Sequence, residues 1–261
     1  MGVGGHAGPQ RLADGAPDPQ AGDIDLATVG DASAADAFTV ILEALAALRP
    51  DLIVSPAFSA DPADLWDDAV RGEIGRIAPT AGILHVGRPY DRVLARYVDL
   101  AAALGADVEA PAVVEDRRRF DDAAAALREA TAAKPGLTGI FVAASSDALY
   151  VVHPRADSPV WFYTELGLDV VVPDVPVADY WHELSWELVA TYPADLIFHS
   201  VRSGESSLDE MLAQPTFAAL PAVRAGQLAP WRLDAPHSHR HYAPILEEIA
   251  AAVRAADPTV V

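Results

Sequence analysis

A stretch that occurs twice, more than half the chain apart, constrains the fold most. The first copy is Glu43-Ala-Leu-Ala-Ala-Leu-Arg-Pro-Asp51-Leu-Ile-Val and the second is Glu187-Leu-Val-Ala-Thr-Tyr-Pro-Ala-Asp195-Leu-Ile-Phe. In each, a carboxylate opens a short run of helix formers, a proline region breaks it, and Asp-Leu-Ile begins an apolar run of strand character. The glutamate-to-aspartate spacing is the same in both. Two such helix-turn-strand units imply two similar α/β lobes.

The chain can fill two lobes: it has 261 residues, 51% of them hydrophobic. Its formal net charge is −20, with Lys134 the single lysine. Such a field repels phosphate backbones and anionic lipid, so nucleic-acid binding and charge-driven membrane binding are not expected. Cysteine is absent, which removes disulfides, thiolate catalysis and zinc-thiolate sites together. No run approaches the roughly 20 apolar residues that span a bilayer. Residues 1–20 have neither a basic n-region nor an apolar h-region, so no signal peptide is expected within this sequence, whether or not the natural gene encodes one.

Along the chain, Gly2-Val-Gly4-Gly5-His6-Ala7 matches a dinucleotide fingerprint only on paper, because no strand precedes it and Pro9 with a polar run follows. Ser33-Ala-Ala-Asp36 resembles a capping box ahead of Phe38, Ile41, Leu42 and Leu45, which predicts a helix from about Ala34 to Leu48. A strand follows at 51–55, a loop at 56–64, and a helix at 65–77 with Trp66, Val70, Ile74 and Ile77 on one face. Thr80 to Val86 reads as a strand and 91–104 as a helix closed by Gly105. Weak strand candidates lie around Val3 and at 23–29.

From Pro111 to Ala133 no interior glycine or proline intervenes, and Val113, Phe120, Ala124 and Leu127 recur at helical spacing. Pro111 suits the first turn and Lys134-Pro135-Gly136 ends the run, which predicts one helix of about 22 residues, about 33 Å long. Its charged positions (Glu115, Asp116, Arg117, Arg118, Arg119, Asp121, Asp122) read as a solvated face with pairs one turn apart. Beyond it strands are expected at 137–143, 149–153, 169–172, 195–199 and 227–231. Helices intervene at 159–166, 185–191, 208–212 and 243–255. Alternation of this kind predicts a mostly parallel sheet covered on both faces.

Ligands of open α/β sheets bind beyond the C-terminal strand ends. Those ends hold Ser55 and Phe58; His85, Arg88 and Tyr90; Ser145 and Ser146; His199 and Arg202; and Trp231 and Arg232. Rings stack on flat surfaces and guanidinium groups grip oxygen anions, so the set suits a bulky ligand rich in oxygen. Trp161, His237 and His239 join it as candidates. In an extended segment, alternate histidines of His237-Ser-His239-Arg-His241 share a face. Metal ligation is then conceivable, but no cysteine or nearby carboxylate pair completes a site; ligand contact and plain surface are the other readings. There is no Gly-x-Ser-x-Gly, no base paired with Ser145-Ser146, and no Walker loop.

On these and further segments the chain resembles the substrate-binding proteins of ABC importers for ferric siderophores, haem and cobalamin. The segments are the first repeat copy, Ile77-Ala-Pro-Thr80, Leu100 to Gly105 ahead of the long helix, Leu184-Ser-Trp-Glu187 before Ala194-Asp-Leu-Ile, and Pro215-Thr-Phe-Ala-Ala-Leu-Pro-Ala-Val-Arg-Ala-Gly-Gln-Leu228. The resemblance implies two Rossmann-like α/β lobes joined by a long rigid helix: an N-terminal lobe at 1–106, an interlobe helix at 107–134 and a C-terminal lobe at 135–261. It implies capture of an iron chelate between the lobes, most simply a ferric siderophore, with no catalysis and no cofactor of the protein's own. Haem comes next, with His85, Tyr90, His199 or the 237–241 histidines as possible iron ligands, then cobalamin. An α/β enzyme or a ligand sensor built on the same fold is the alternative of another class.

The implied partners are the small-molecule metal chelate and a membrane permease, onto whose arginines one surface glutamate per lobe docks; Glu43 and Glu187 fall on those positions. A monomer in the cell envelope is expected. Family members usually carry one more strand and helix at the front, so the first lobe is expected to lack that unit. Glu43 is expected in mid-helix, whereas the family's docking glutamate lies near a helix start.

Overall fold

A computed structural model describes residues 4–5, 30–31, 41–58, 68–202 and 205–261. The capping box at 33–36, the residues of the Gly2–Ala7 motif other than Gly4 and Gly5, the candidates Val3 and 23–29, loop residues 59–64 and Trp66 lie outside them, as does the side chain of Val70. Contacts divide the chain into two compact units, 1–86 and 87–261. This division differs from the expected one, which put boundaries at 106 and 134.

The first unit holds β1 (Gly4–Gly5), β2 (Gly30–Asp31), α1 (Leu42–Ala47), β3 (Ile53–Ala57), α2 (Asp68–Ile77) and β4 (Thr80–Leu84). Strands β1 and β2 pair in parallel, as do β3 and β4, with Ile53 opposite Thr80. Buried Ile53, Ile74 and Ala78 form the core described here, with Leu42, Leu45 and Ile77 packed against it. The apolar positions of the first repeat copy thus meet the face predicted for the second helix. Ile41 is the extended N-cap of α1, so Glu43 stands in the first turn and not in mid-helix.

The second unit contains α3 (Tyr90–Ala103), α4 (Pro111–Ala132), β5 (Thr138–Ala144), β6 (Ala148–Val152), α5 (Ser158–Glu165), β7 (Asp169–Val170) and β8 (Trp181–Ser185). After β8 come a 3-10 helix (Trp186–Thr191), β9 (Leu196–Ser200), α6 (Leu208–Leu212), α7 (Pro215–Ala218), α8 (Pro221–Arg224), β10 (Leu228–Trp231) and α9 (His239–Ala255). One sheet runs β10-β9-β5-β6-β8, with β7 beside β5. The pairs β10/β9, β9/β5 and β5/β7 are parallel. The pairs β5/β6 and β6/β8 are antiparallel. Only Ser145-Ser146-Asp147 separates β5 from β6, and so short a link allows only a hairpin. Strand β8 has no counterpart in the sequence reading; His182 and Glu183 interrupt its apolar pattern, and pairing with β6 supplies what the pattern lacks.

Helix α4 has its predicted span and buries Phe120, Ala124 and Leu127. It packs along α9, where the Arg119 guanidinium grips the Glu247 carboxylate at 2.8 and 2.9 Å and Lys134 donates to the Ala256 carbonyl at 2.7 Å. On its exposed side Arg118 pairs with Glu115 at 2.6 Å and with Asp122. The turn after α5 needs glycine: Gly167 has φ +95°, and a Cβ there would stand 2.9 Å from Thr131 Oγ1.

The second repeat copy becomes a 3-10 helix, because Trp186 and Val189 both face the core and residues three apart are eclipsed in a three-residue turn. Its aspartate ends up as a hub. Asp195 Oδ2 accepts from the Thr138 amide at 2.9 Å and its hydroxyl at 2.8 Å, while Oδ1 accepts from the amides of Val260 and Val261 at 3.1 and 3.2 Å. Burial pushes its pKa up, but these bonds outweigh it and hold the carboxyl below its usual range. Asp195→Ala leaves these buried donors unpaired and is expected to cost about 3 kcal/mol in a chemical denaturation curve. Asp51→Ala, at an exposed position, should move it by no more than about 0.5 kcal/mol.

Candidate functional site

Alternation along each strand puts Phe141, Phe198, Trp231, Tyr150 and Trp181 on one face of the second unit's sheet. Phe141 and Phe198 stack at 4.4 Å, and Trp231 meets Phe141 edge-on at 5.6 Å. Trp181 bridges onward, 5.9 Å from Trp231, 6.3 Å from Tyr150 and 4.9 Å from Tyr180. Phe141, Phe198 and Trp231 are buried, whereas Tyr150, Tyr180 and Trp181 are half-buried. The result is an aromatic surface whose outer members are open to a flat or apolar partner.

Tyr180 has φ +57°, a conformation costly for a bulky side chain. Its hydroxyl donates to Asp157 Oδ2 at 2.7 Å, and Asp157 Oδ1 caps α5 by accepting from the Val160 amide at 2.8 Å. Burial raises the Asp157 pKa, against the pull of these two bonds. Burial and the facing carboxylate raise the Tyr180 pKa, so the phenol keeps its proton and stays the donor.

The cations at this edge are engaged. Asp234 takes Arg202 in a two-pronged pair, both contacts 2.6 Å, and Glu205 adds a third at 3.3 Å. Burial alone would lower the Arg202 pKa; the bonds and charge of Asp234 outweigh it and raise it. Burial raises the Glu205 pKa, against the pull of the Ser200 hydroxyl and of Arg202. Arg232 is held by Glu248 at 3.0 and 3.4 Å.

The remaining expected residues scatter. Ser145 turns its hydroxyl into the hairpin, accepting from the amides of Asp147 and Ala148 at 3.3 and 3.2 Å. His199 is buried on the opposite sheet face, opposite Val142, and burial lowers its pKa. Trp161 carries the Arg155 guanidinium 4.3 Å over its ring, a cation–π contact. Arg88 is half-buried ahead of α3. In the first unit, exposed Phe58 lies 5.6 Å from the ring of buried His85, and Ser55 bonds the neighbouring Pro56 carbonyl.

Tyr90 is fully buried, and its hydroxyl meets His237 Nδ1 at 2.8 Å. The histidine stretch is not extended. Ser238 caps α9, which begins at His239 and not near Ala243, because its hydroxyl accepts from the His241 amide. The three histidines therefore part: His237 stacks on Tyr97 at 5.1 Å, His239 meets Phe120 edge-on at 5.1 Å, and His241 bonds Ser238 at 2.7 Å. Among the described residues no group of three or more His, Cys, Asp or Glu stands close enough to hold a metal.

Both repeat glutamates are exposed in the first turn of their helices, Glu43 in α1 and Glu187 in the 3-10 helix. A hydrogen bond from the Ser185 side chain lowers the Glu187 pKa, so it is ionised at neutral pH. Sequence reasoning missed Tyr150, Tyr180 and Trp181 as members of the aromatic surface, and Asp157, Glu205 and Asp234 beside it. The Tyr180-Trp181 pair was the one available signal.

Residues 13–235 match the family model described as periplasmic binding protein. The chain is 31% identical to DesE, a ferric-siderophore receptor protein from Streptomyces coelicolor, over 96% of this chain and 85% of that one, with a TM-score of 0.87. The siderophore periplasmic binding protein from the fuscachelin gene cluster of Thermobifida fusca shares its fold at 22% identity, with a TM-score of 0.63 and coverage of 88% and 82%. FhuD from Vibrio cholerae, a siderophore-binding protein solved with Fe3+–Desferal, does so at 20% identity, with a TM-score of 0.58 and coverage of 82% and 80%. No curated protein matches the chain.

Burial lowers the His237 pKa from 6.5 to about 4. The imidazole is neutral when folded, whereas the unfolded chain takes up a proton below its ordinary pKa. Stability from this group is therefore complete above about pH 6.5 and is lost as pH falls towards 4. Thermal melts should show the wild type losing about 2 kcal/mol more than His237→Gln between pH 7 and pH 4.5.

Proposed function

The chain belongs to the periplasmic binding protein family, and from that membership we propose that it is the solute-binding component of an ABC importer for an iron chelate, a ferric siderophore. The observation that carries this reading is the aromatic surface of Tyr150, Tyr180, Trp181 and Trp231 at the sheet of a chain so close to a ferric-siderophore receptor. The role is capture and delivery without catalysis, in the cell envelope. No helix among the described residues is long and apolar enough to cross a membrane; the proposed role assigns delivery to a separate permease. Iron enters as part of the cargo.

Charge narrows the cargo. Arg202 and Arg232 are both spent on protein carboxylates, and the net charge is −20. A triply anionic catecholate chelate would have to break these pairs, whereas a neutral or cationic hydroxamate chelate needs only the rings. Haem gains no support from the expected histidine and tyrosine ligands. Tyr90 and His237 are bonded to each other, and His199 is buried.

Titration with a ferric hydroxamate, a ferric catecholate, haem and cobalamin, followed by tryptophan quenching, tests the reading. The hydroxamate is expected to bind most tightly, and Trp181→Ala should weaken it about tenfold or more. Binding of none of the four tighter than about 10 μM would sink the import reading.

Glu43 and Glu187 suit docking onto a cationic permease surface, being exposed and charged. Glu43→Ala with Glu187→Ala should leave chelate affinity unchanged and reduce uptake into cells. Loss of chelate binding in that double variant would instead make the glutamates part of the binding site.

A further inference from the structure

On the sheet face opposite the aromatic surface, the second unit has a partly open pocket of about 230 Å³, whose lining includes exposed Ala190, Pro193, Pro221 and Val261. Ile140, Val142, Leu149, Val189, Phe217 and Leu220 line it. The ring of Tyr192 closes one side, but its hydroxyl is already engaged by His182 Nδ1 at 2.7 Å and by the Asp174 amide at 2.8 Å. Asp195, next to the lining residue Ala194, accepts four hydrogen bonds from the protein. The side chains of the lining therefore offer a guest no free hydrogen-bonding group.

We propose that this pocket is a second binding site, for a small neutral apolar molecule of the size of a substituted benzene, separate from the chelate surface. Its roof is the 3-10 helix Trp186–Thr191, held from below by Trp186 and Val189. Six residues is long for a 3-10 helix, whose hydrogen bonds are poorly aligned. An occupant that fills the space under Val189 stiffens this helix, which also carries Glu187. The link to docking rests on the reading of Glu187 given above; the binding does not.

Toluene and phenol, which differ by one methyl-for-hydroxyl exchange, test the site in the full chain. Toluene should shift the amide resonances of residues 188–192 and 194 and raise the melting midpoint by about 2 °C. It should also slow amide exchange in the 3-10 helix. Phenol at the same concentration should bind about tenfold more weakly, because its hydroxyl finds no partner. Leu220→Trp, which fills the pocket from a half-buried wall, should abolish the toluene shifts, and Trp181→Ala should leave them intact. Equal binding of phenol, absence of shifts at 188–192 and 194, or loss of the toluene effect in Trp181→Ala would each overturn the proposal. If Leu220→Trp does not fold, the toluene–phenol contrast and Trp181→Ala decide it.

Discussion

The second unit depends on one buried carboxylate. Asp195 sits just ahead of β9 and takes hydrogen bonds from the start of β5 and from the backbone at 260–261. Its own carbonyl accepts from Gln227 Nε2 at 2.5 Å, just ahead of β10, and Gln227 Oε1 in turn accepts from the Asp257 amide. Three parallel strands and the segment after α9 are thereby registered at one end. Because an ionised group satisfies all these donors at once, misplacing any of these segments leaves a charge buried and short of partners, a larger penalty than the loss of one neutral bond.

With one end fixed, the faces of the sheet take different roles. One bears the stacked aromatic side chains that run from Phe198 through Trp231 to Trp181. The other bears Ile140, Val142, Leu149 and Ile197 against Val189, Met211, Phe217 and Ala222. The strict alternation of a strand enforces this separation, so a change on one face reaches the other only through the backbone. The aromatic surface and the helix that carries Glu187 can therefore coexist on one scaffold without sharing side chains.

The candidate site was legible in the sequence only where it lay at strand ends. Arg202, Trp231 and Arg232 were found because apolar strands stop just before or at them. Trp181 and Tyr150 were not, since β8 is a polar-interrupted strand that exists through its pairing with β6. The partners of the arginines were not legible either. Asp234 lies 32 residues from Arg202, and Glu248 is 16 from Arg232, distances at which sequence spacing says nothing of contact. The histidine cluster failed differently: an N-cap at Ser238 wound it into a helix and sent each ring to its own neighbour.

The sequence by itself determined the α/β class, the span of α4, and most strands of the second unit. These follow from local preferences and from apolar periodicity, which act within a few residues. It also revealed the twice-used helix-to-strand unit with its two exposed glutamates. Only the tertiary structure decided that the two aspartates of that unit differ, Asp51 being exposed and Asp195 a buried hub. It likewise decided which rings form a surface and which cations are already paired. Those outcomes depend on groups far apart in the chain reaching hydrogen-bonding or van der Waals distance, and only the folded chain brings them there.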